Sequence, residues 1–265
     1  MSKIAKRLWP ISMSLKLQAG ETYTSRVAGY ETCLCPATGT ISVTVGDWSA
    51  AKVGERSASV WDGEPNAVYV PVGATANIRA ECDAEVFVAG AKYDRVYAPF
   101  VVRAEHIDAL QYGSDETKTH RKIKHLLGQK PPGKVGRLLV SELYTVGAGG
   151  WSGFPPHKHD SDRLPAESQH DEVYHFRFRP RRGFGLQLLQ AEDGQLGEAF
   201  HLVDGSTFQI RKGYHPCVVA PGYEMYYFTI LAGKSQRALV QYFQPSHADQ
   251  VNRIPGIKDM IAKFS

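Results

Sequence analysis

The feature that most constrains this chain is the repetition of short β-prone runs separated by turn residues, in two successive stretches. From Thr22 to Asp94, runs such as Thr40–Val45, Val68–Val72 and Glu85–Val88 are divided by Gly, Pro and Asp. A second series opens after the Lys130-Pro-Pro-Gly133 break with Arg137–Val140. It continues through Tyr174–Phe178, Gly185–Leu189, Thr207–Ile210, Cys217–Ala220, Tyr226–Leu231 and Ala238–Phe243. Runs this short bury an inner face only by closing or stacking, because an open edge exposes unpaired backbone groups. The expected fold is all-β, with two barrels in tandem: residues 1–128, including a linker, and residues 129–265. Between them, Glu105–Leu127 spaces Ile107, Leu110, Ile123, Leu126 and Leu127 in a helix-like way and is expected to be a linker with helical turns. His247–Phe264, with Ile254, Ile257, Met260, Ile261 and Phe264, is expected to form a helical C-terminal tail.

Charge and composition narrow the function classes. Lys and Arg outnumber Asp and Glu by 31 to 27, and the excess is scattered, whereas a nucleic-acid binder concentrates its positive charge. No apolar run approaches the ~18 residues of a membrane span. Met1–Trp9 lacks the apolar core of a secretory signal, so the expected partners include neither nucleic acid nor membrane and the expected compartment is the cytoplasm. Cys33, Cys35, Cys82 and Cys217 are too few and too irregular for a disulfide framework and are expected to be reduced. Whether the chain forms a homo-oligomer is left open.

All ten histidines lie at or after position 106. His157 and His159 are two residues apart, so in extended backbone both imidazoles project from one face, near enough to share an ion. Glu172 opens a strand-like run and can add an oxygen ligand, and His215 precedes another strand. Three nitrogens and one carboxylate suit a divalent transition ion, with Zn first and Mn or Fe as alternatives, and are too nitrogen-rich for Mg or Ca. The competing account is a Pro-flanked surface loop that binds nothing.

The run Gly150-Trp-Ser-Gly-Phe-Pro-Pro-His-Lys-His-Asp160, with Asp171-Glu-Val-Tyr174, Gly183-Phe-Gly185 and the segment Gly213–Tyr223, resembles the 5-deoxy-glucuronate isomerases of inositol catabolism. These are bicupins, made of two double-stranded β-helix (jelly-roll) barrels, and are related to 4-deoxy-L-threo-5-hexosulose-uronate ketol-isomerase. The resemblance implies metal ligands at His157, His159, Glu172 and His215. The first half offers no comparable set of nitrogen ligands and is expected to be a cupin-like barrel without a metal site. It also implies an intramolecular oxidoreductase converting 5-deoxy-D-glucuronate, a small sugar acid, to 5-dehydro-2-deoxy-D-gluconate. The segment between His159 and Glu172 is longer than in general cupins and resembles a loop of this family.

Aldose–ketose isomerisation removes a proton from a carbon bearing a hydroxyl, stabilises an enediolate and returns the proton next door. The candidate base is Glu142, on a strand leading toward the histidine pair, and Tyr227 is a candidate proton donor. Strand parity places His175, Arg177 and Arg179 away from the Glu172 face. Arg177, Arg179, Arg163 and Arg211 are the guanidinium groups weighed for the substrate carboxylate. Two other readings remain: an iron-dependent cupin dioxygenase, told apart by oxygen consumption, and a non-catalytic sugar-acid-binding cupin, told apart by binding without turnover.

Overall fold

The computed structural model describes residues 10–264; the expectation drawn from Met1–Trp9 lies outside the described residues. Strands dominate the regular structure. An eight-stranded sheet occupies the first part, and six-, four- and two-stranded sheets make up the second. Among the described residues, helix is confined to two 3-10 segments, Ala104–His106 and Pro245–Asn252, and the C-terminal α-helix Ile257–Phe264.

The first barrel turns on one long strand, Tyr30–Val45. Its early residues pair with Ala84–Lys92 and Ala67–Val70, and its later residues pair with Trp48–Arg56 and Ala76–Ala80. One strand thus serves two layers, and Gly39 (φ +76°) lies where the pairing register shifts. A β-carbon there would fall 2.4 Å from the Asp83 carbonyl oxygen, so the close approach requires glycine. Alternation sends Leu34, Ile41, Val43, Val53, Val68, Ile78, Val86 and Val88 into an aliphatic interior. Each such side chain stabilises the fold by roughly 1.5–3 kcal/mol when fully buried.

The second barrel's main sheet has the strand order Thr207–Ile210, His170–Arg179, Glu224–Gly233, Leu138–Thr145, Arg121–Leu127, Asp108–Tyr112. The structure therefore corrects the expected helical linker and the boundary at residue 128. Asp108–Tyr112 and Arg121–Leu127 are strands of the second barrel, with Arg121 opposite Thr145 on one side and Tyr112 on the other. Chain direction reverses at the polar segment between them, where Gly113 N–H donates to Pro255 and Ser114 and Thr117 bond one another. Facing this sheet are Gly150–Ser152, Cys217–Val219, Phe184–Leu189 and Glu198–Val203.

The two barrels share a third core. Cys33, Cys35, Tyr69, Phe87 and Ala89 of the first pack against Val140, Tyr144, Tyr226, Phe228 and Ile230 of the second. Every residue of Leu138–Thr145 is buried in consequence, one face toward the second barrel's interior and the other toward its neighbour. Arg56 of the first barrel makes a two-pronged ion pair with Glu142, both contacts 2.7 Å, inside this shared core.

Candidate metal centre

Three of the four expected ligands converge. Glu172 lies near the start of its strand, facing inward, with one carboxylate oxygen accepting from Thr229 Oγ1 (2.9 Å) on the neighbouring strand. Its other oxygen is 3.0 Å from His159 Nε2 and 3.3 Å from His215 Nε2. These three donor atoms lie within 4.8 Å of one another, and all three residues are buried.

What the backbone does to the imidazoles decides the chemistry. His159 Nδ1 is 3.2 Å from the His170 carbonyl, His215 Nδ1 is 2.8 Å from that of Gly213, and His157 Nδ1 is 3.2 Å from that of Pro155. A carbonyl only accepts, so each Nδ1 carries the hydrogen and each Nε2 presents a lone pair. The Nε2 of His215 is buried without a hydrogen-bond partner. Lone pairs from two imidazoles therefore face a carboxylate with nothing but a proton or a cation able to reconcile them, which is the donor set of a transition-metal site. Gly213 (φ +93°) is part of this device. A β-carbon there would meet the Gln190 carbonyl at 2.5 Å, while its own carbonyl fixes His215.

His157, the fourth expected ligand, stands at the margin. Its ring centroid is 5.0 Å from that of His215 and 6.4 Å from that of His159, and its Nε2 accepts from the Gln241 side-chain amide (2.9 Å). The structure brings together His159, Glu172 and His215, and leaves His157 one hydrogen-bond exchange away.

Electrostatics follow from burial and from these neighbours. Burial alone would raise the Glu172 pKa, but His159 and His215 opposite hold its carboxyl well below the usual range. Burial opposes protonation of His159, yet the facing carboxylate outweighs it and raises its pKa. His157 lacks a carboxylate at hydrogen-bond distance, and burial, reinforced by the neighbouring imidazoles, pushes it well down.

A cavity opens beside the trio. Its wall includes His157, His159, Glu172, Tyr174, Tyr227 and Thr229 together with Arg121, Ile123, His125, Leu143 and Met260. Tyr227, the expected proton donor, is there: its hydroxyl accepts from Arg121 Nη2 (3.1 Å) and shares a 2.6 Å hydrogen bond with Ser152 Oγ. Burial pushes its pKa up, which keeps it a donor at neutral pH.

Glu142, the expected base, is not part of the cavity. Ser141 and Leu143 point into it and Glu142 points the other way, held by Arg56, Tyr144 and Tyr226 in the inter-barrel core. Burial would raise its pKa, but the Arg56 guanidinium and the two phenols lower it. Glu172 is the only carboxylate among the cavity's lining residues. The arginines weighed for a substrate carboxylate are engaged elsewhere. Arg177 pairs with Glu85 of the first barrel, Arg179 with Glu224 and Arg163 with Glu167, while Arg211 hydrogen-bonds Gln209. The guanidinium that does line the cavity, Arg121, lies in the segment expected to be a linker. The clue available in sequence is the alternation Arg121, Ile123, His125 against Lys122 and Lys124.

Comparison with known proteins identifies the family and the fold. The chain is 31% identical over 242 residues to the 5-deoxy-glucuronate isomerase of Lacticaseibacillus casei, covering 90% of this chain and 86% of that one. It is 31% identical over 234 residues to the 5-deoxy-glucuronate isomerase of Bacillus subtilis strain 168, covering 88% and 84%. An IolB-like protein from Salmonella typhimurium LT2 superposes with a TM-score of 0.84 at 28% identity, covering 90% of this chain and 89% of that chain. A Bacillus subtilis oxalate decarboxylase superposes with a TM-score of 0.60 at 13% identity, covering 97% and 78%, a likeness of fold that makes the two barrels cupin-like. The sequence pattern of the KduI/IolB family matches residues 6–250, nearly the whole chain, and the chain belongs to that family.

Proposed function

We propose that this protein is an aldose–ketose isomerase of inositol catabolism, converting 5-deoxy-D-glucuronate to 5-dehydro-2-deoxy-D-gluconate with one divalent transition metal ion bound by His159, Glu172 and His215. The relatives' activity supports the reaction. The observation that carries the metal is the fixed tautomer of the imidazoles, whose Nε2 lone pairs meet a carboxylate in a buried site. A divalent ion held there supplies Lewis-acid polarisation of the substrate carbonyl and its neighbouring hydroxyl. Zn is the first candidate for this nitrogen-rich set, with Mn or Fe next.

The chain's own groups complete the ligand set, protonate oxygen and exclude water. His157 completes the ligand set on exchanging its Gln241 hydrogen bond. Tyr227 accepts from Arg121, which leaves its own proton for Ser152 or a substrate oxygen and suits it to neutralise a developing alkoxide. Phe154, Leu231, Leu239 and Phe243 line the same cavity and exclude water from an intermediate that bulk solvent would protonate. The four cysteines are free thiols, which fits a reducing cytoplasm.

The test is elemental analysis of purified protein combined with an NMR assay on 5-deoxy-D-glucuronate. About one ion per chain and redox-neutral interconversion uphold the reading. Substrate-dependent oxygen uptake, or turnover by metal-stripped protein, overturns it.

A further inference from the structure

Arg121 is 3% exposed, and no carboxylate of the described residues pairs with it. Its Nε is buried without a hydrogen-bond partner, Nη2 donates to Tyr227 Oη, and its guanidinium lies 5.4 Å from the centre of the Tyr112 ring. A buried cation costs a great deal of free energy unless a counter-charge meets it, and here the protein supplies none. By contrast, the other fully enclosed guanidinium, Arg56, has its carboxylate in Glu142. Arg121 also opens onto the cavity lined by His159 and Glu172 of the imidazole–carboxylate trio.

We infer that Arg121 is the seat of the substrate's terminal carboxylate, so that a sugar acid lies along the cavity with its carbonyl end at His159, Glu172 and His215 and its acid end at Arg121. This rests on the isomerase reading above and adds to it the residue that selects acids over neutral sugars. A line of contacts joins the two ends: the Tyr174 ring is 6.4 Å from His215 and 4.5 Å from Tyr227, whose hydroxyl accepts from Arg121. An extended six-carbon chain spans about 6 Å between its terminal carbons, and the coordinated oxygen and the guanidinium contact lengthen that reach at both ends. Ile123 and Leu143 occupy the Arg121 side of the cavity, an apolar wall for a methylene next to the acid group. A guanidinium grips a carboxylate with two parallel N–H donors, which an ammonium cannot do.

The test compares wild type, Arg121→Gln and Arg121→Lys, all metal-loaded, on 5-deoxy-D-glucuronate and on neutral 5-deoxy-D-glucose. In Arg121→Gln the KM for the acid rises on the order of 100-fold and metal content is unchanged, while the KM for the neutral sugar, which has no carboxylate to lose, does not rise; any fall in kcat from the lost Tyr227 hydrogen bond is the same for both sugars. Arg121→Lys recovers part of the loss. An unchanged KM for the acid in Arg121→Gln overturns the inference. Should wild type convert neither sugar, the isomerase reading falls, and Arg121 is judged by calorimetric titration with D-glucuronate. Binding by wild type that Arg121→Gln loses upholds it; equal binding, or none, overturns it. If the variants do not fold, a crystal of wild type with D-glucuronate decides: the carboxylate on Arg121 upholds the inference, and a carboxylate elsewhere or an absent sugar overturns it.

Discussion

The two barrels are built alike and filled differently. The interior of the first is closed by Leu34, Ile41, Val43, Val53, Ile78 and their aliphatic neighbours. The second lines its interior with aromatic rings, Tyr174, Phe176 and Tyr227 among them, and sets His159, Glu172 and Arg121 around a cavity. Interiors at native packing density have no spare room, so a barrel can be filled for stability or left hollow for chemistry, and one barrel does not do both well. The pairing of strands is the same physics in each. Which side chains occupy the inward positions decides what each barrel does.

The largest effect expected from breaking this contrast is at the trio. His159→Ala or His215→Ala is expected to lose the metal ion and at least about a thousandfold in turnover, since the group that polarises the carbonyl is gone. Elemental analysis beside the NMR assay checks it. His157→Ala is expected to keep more metal than either, because His157 joins the set only by giving up its Gln241 hydrogen bond, and equal loss in all three would make it the equal of the other ligands.

Next in size is the shared core. Glu142→Gln leaves Arg56 buried against a neutral amide, and denaturant titration is expected to show a loss of about 3 kcal/mol or more, with kcat/KM of the folded fraction within a few-fold of wild type. Abolished turnover in a folded Glu142→Gln protein would restore Glu142 as the base.

A pair of truncations then sharpens the comparison itself. Ile41→Ala, in the filled barrel, is expected to cost about 2–5 kcal/mol with metal content unchanged. Leu139→Ala, on the wall of the cavity, is expected to cost less than half as much, because part of its surroundings is already open. Equal costs would mean that the cavity wall is packed as tightly as the first barrel's interior.

The smallest expected effect is in pH dependence. His175 is buried edge-on against Phe87 of the first barrel, and burial, then Arg177, lowers its pKa from 6.5 to about 4. Between those values the unfolded chain binds a proton that the folded chain does not, so stability is full above about pH 6.5 and falls as pH drops toward 4. His125 and His170, each also lowered to about 4, chiefly by burial, act in the same direction. His157, also pushed down by burial, adds to them, so His175→Gln is expected to flatten this part of the stability profile by roughly a quarter at most, read from thermal midpoints between pH 7 and pH 4.

Sequence carried the strand series and most of the centre because both are local. Two imidazoles two residues apart and a glutamate opening an apolar run need no tertiary knowledge to be noticed. Glu142 was misread because all of Leu138–Thr145 is buried, and parity cannot tell which of two buried faces holds the cavity. Arg121 was missed for the converse reason. Its strand puts Arg121 and His125 at inward positions where hydrophobic alternation expects apolar side chains, so the period-two signal is masked by the residues that make the site. Arg177 and His175 were read correctly as facing away from Glu172. What they face instead, Glu85 and Phe87, is set by docking of the two barrels.

That docking limits how the molecule can be dissected. Cutting the chain between the barrels would strip the reverse side of the catalytic sheet and expose Tyr226, Phe228 and Ile230 to solvent as one adhesive patch, with Glu142 stranded among them. The half that holds every candidate ligand is thus expected to clump when expressed alone, which makes the ligand-free half a fixed wall of the enzyme.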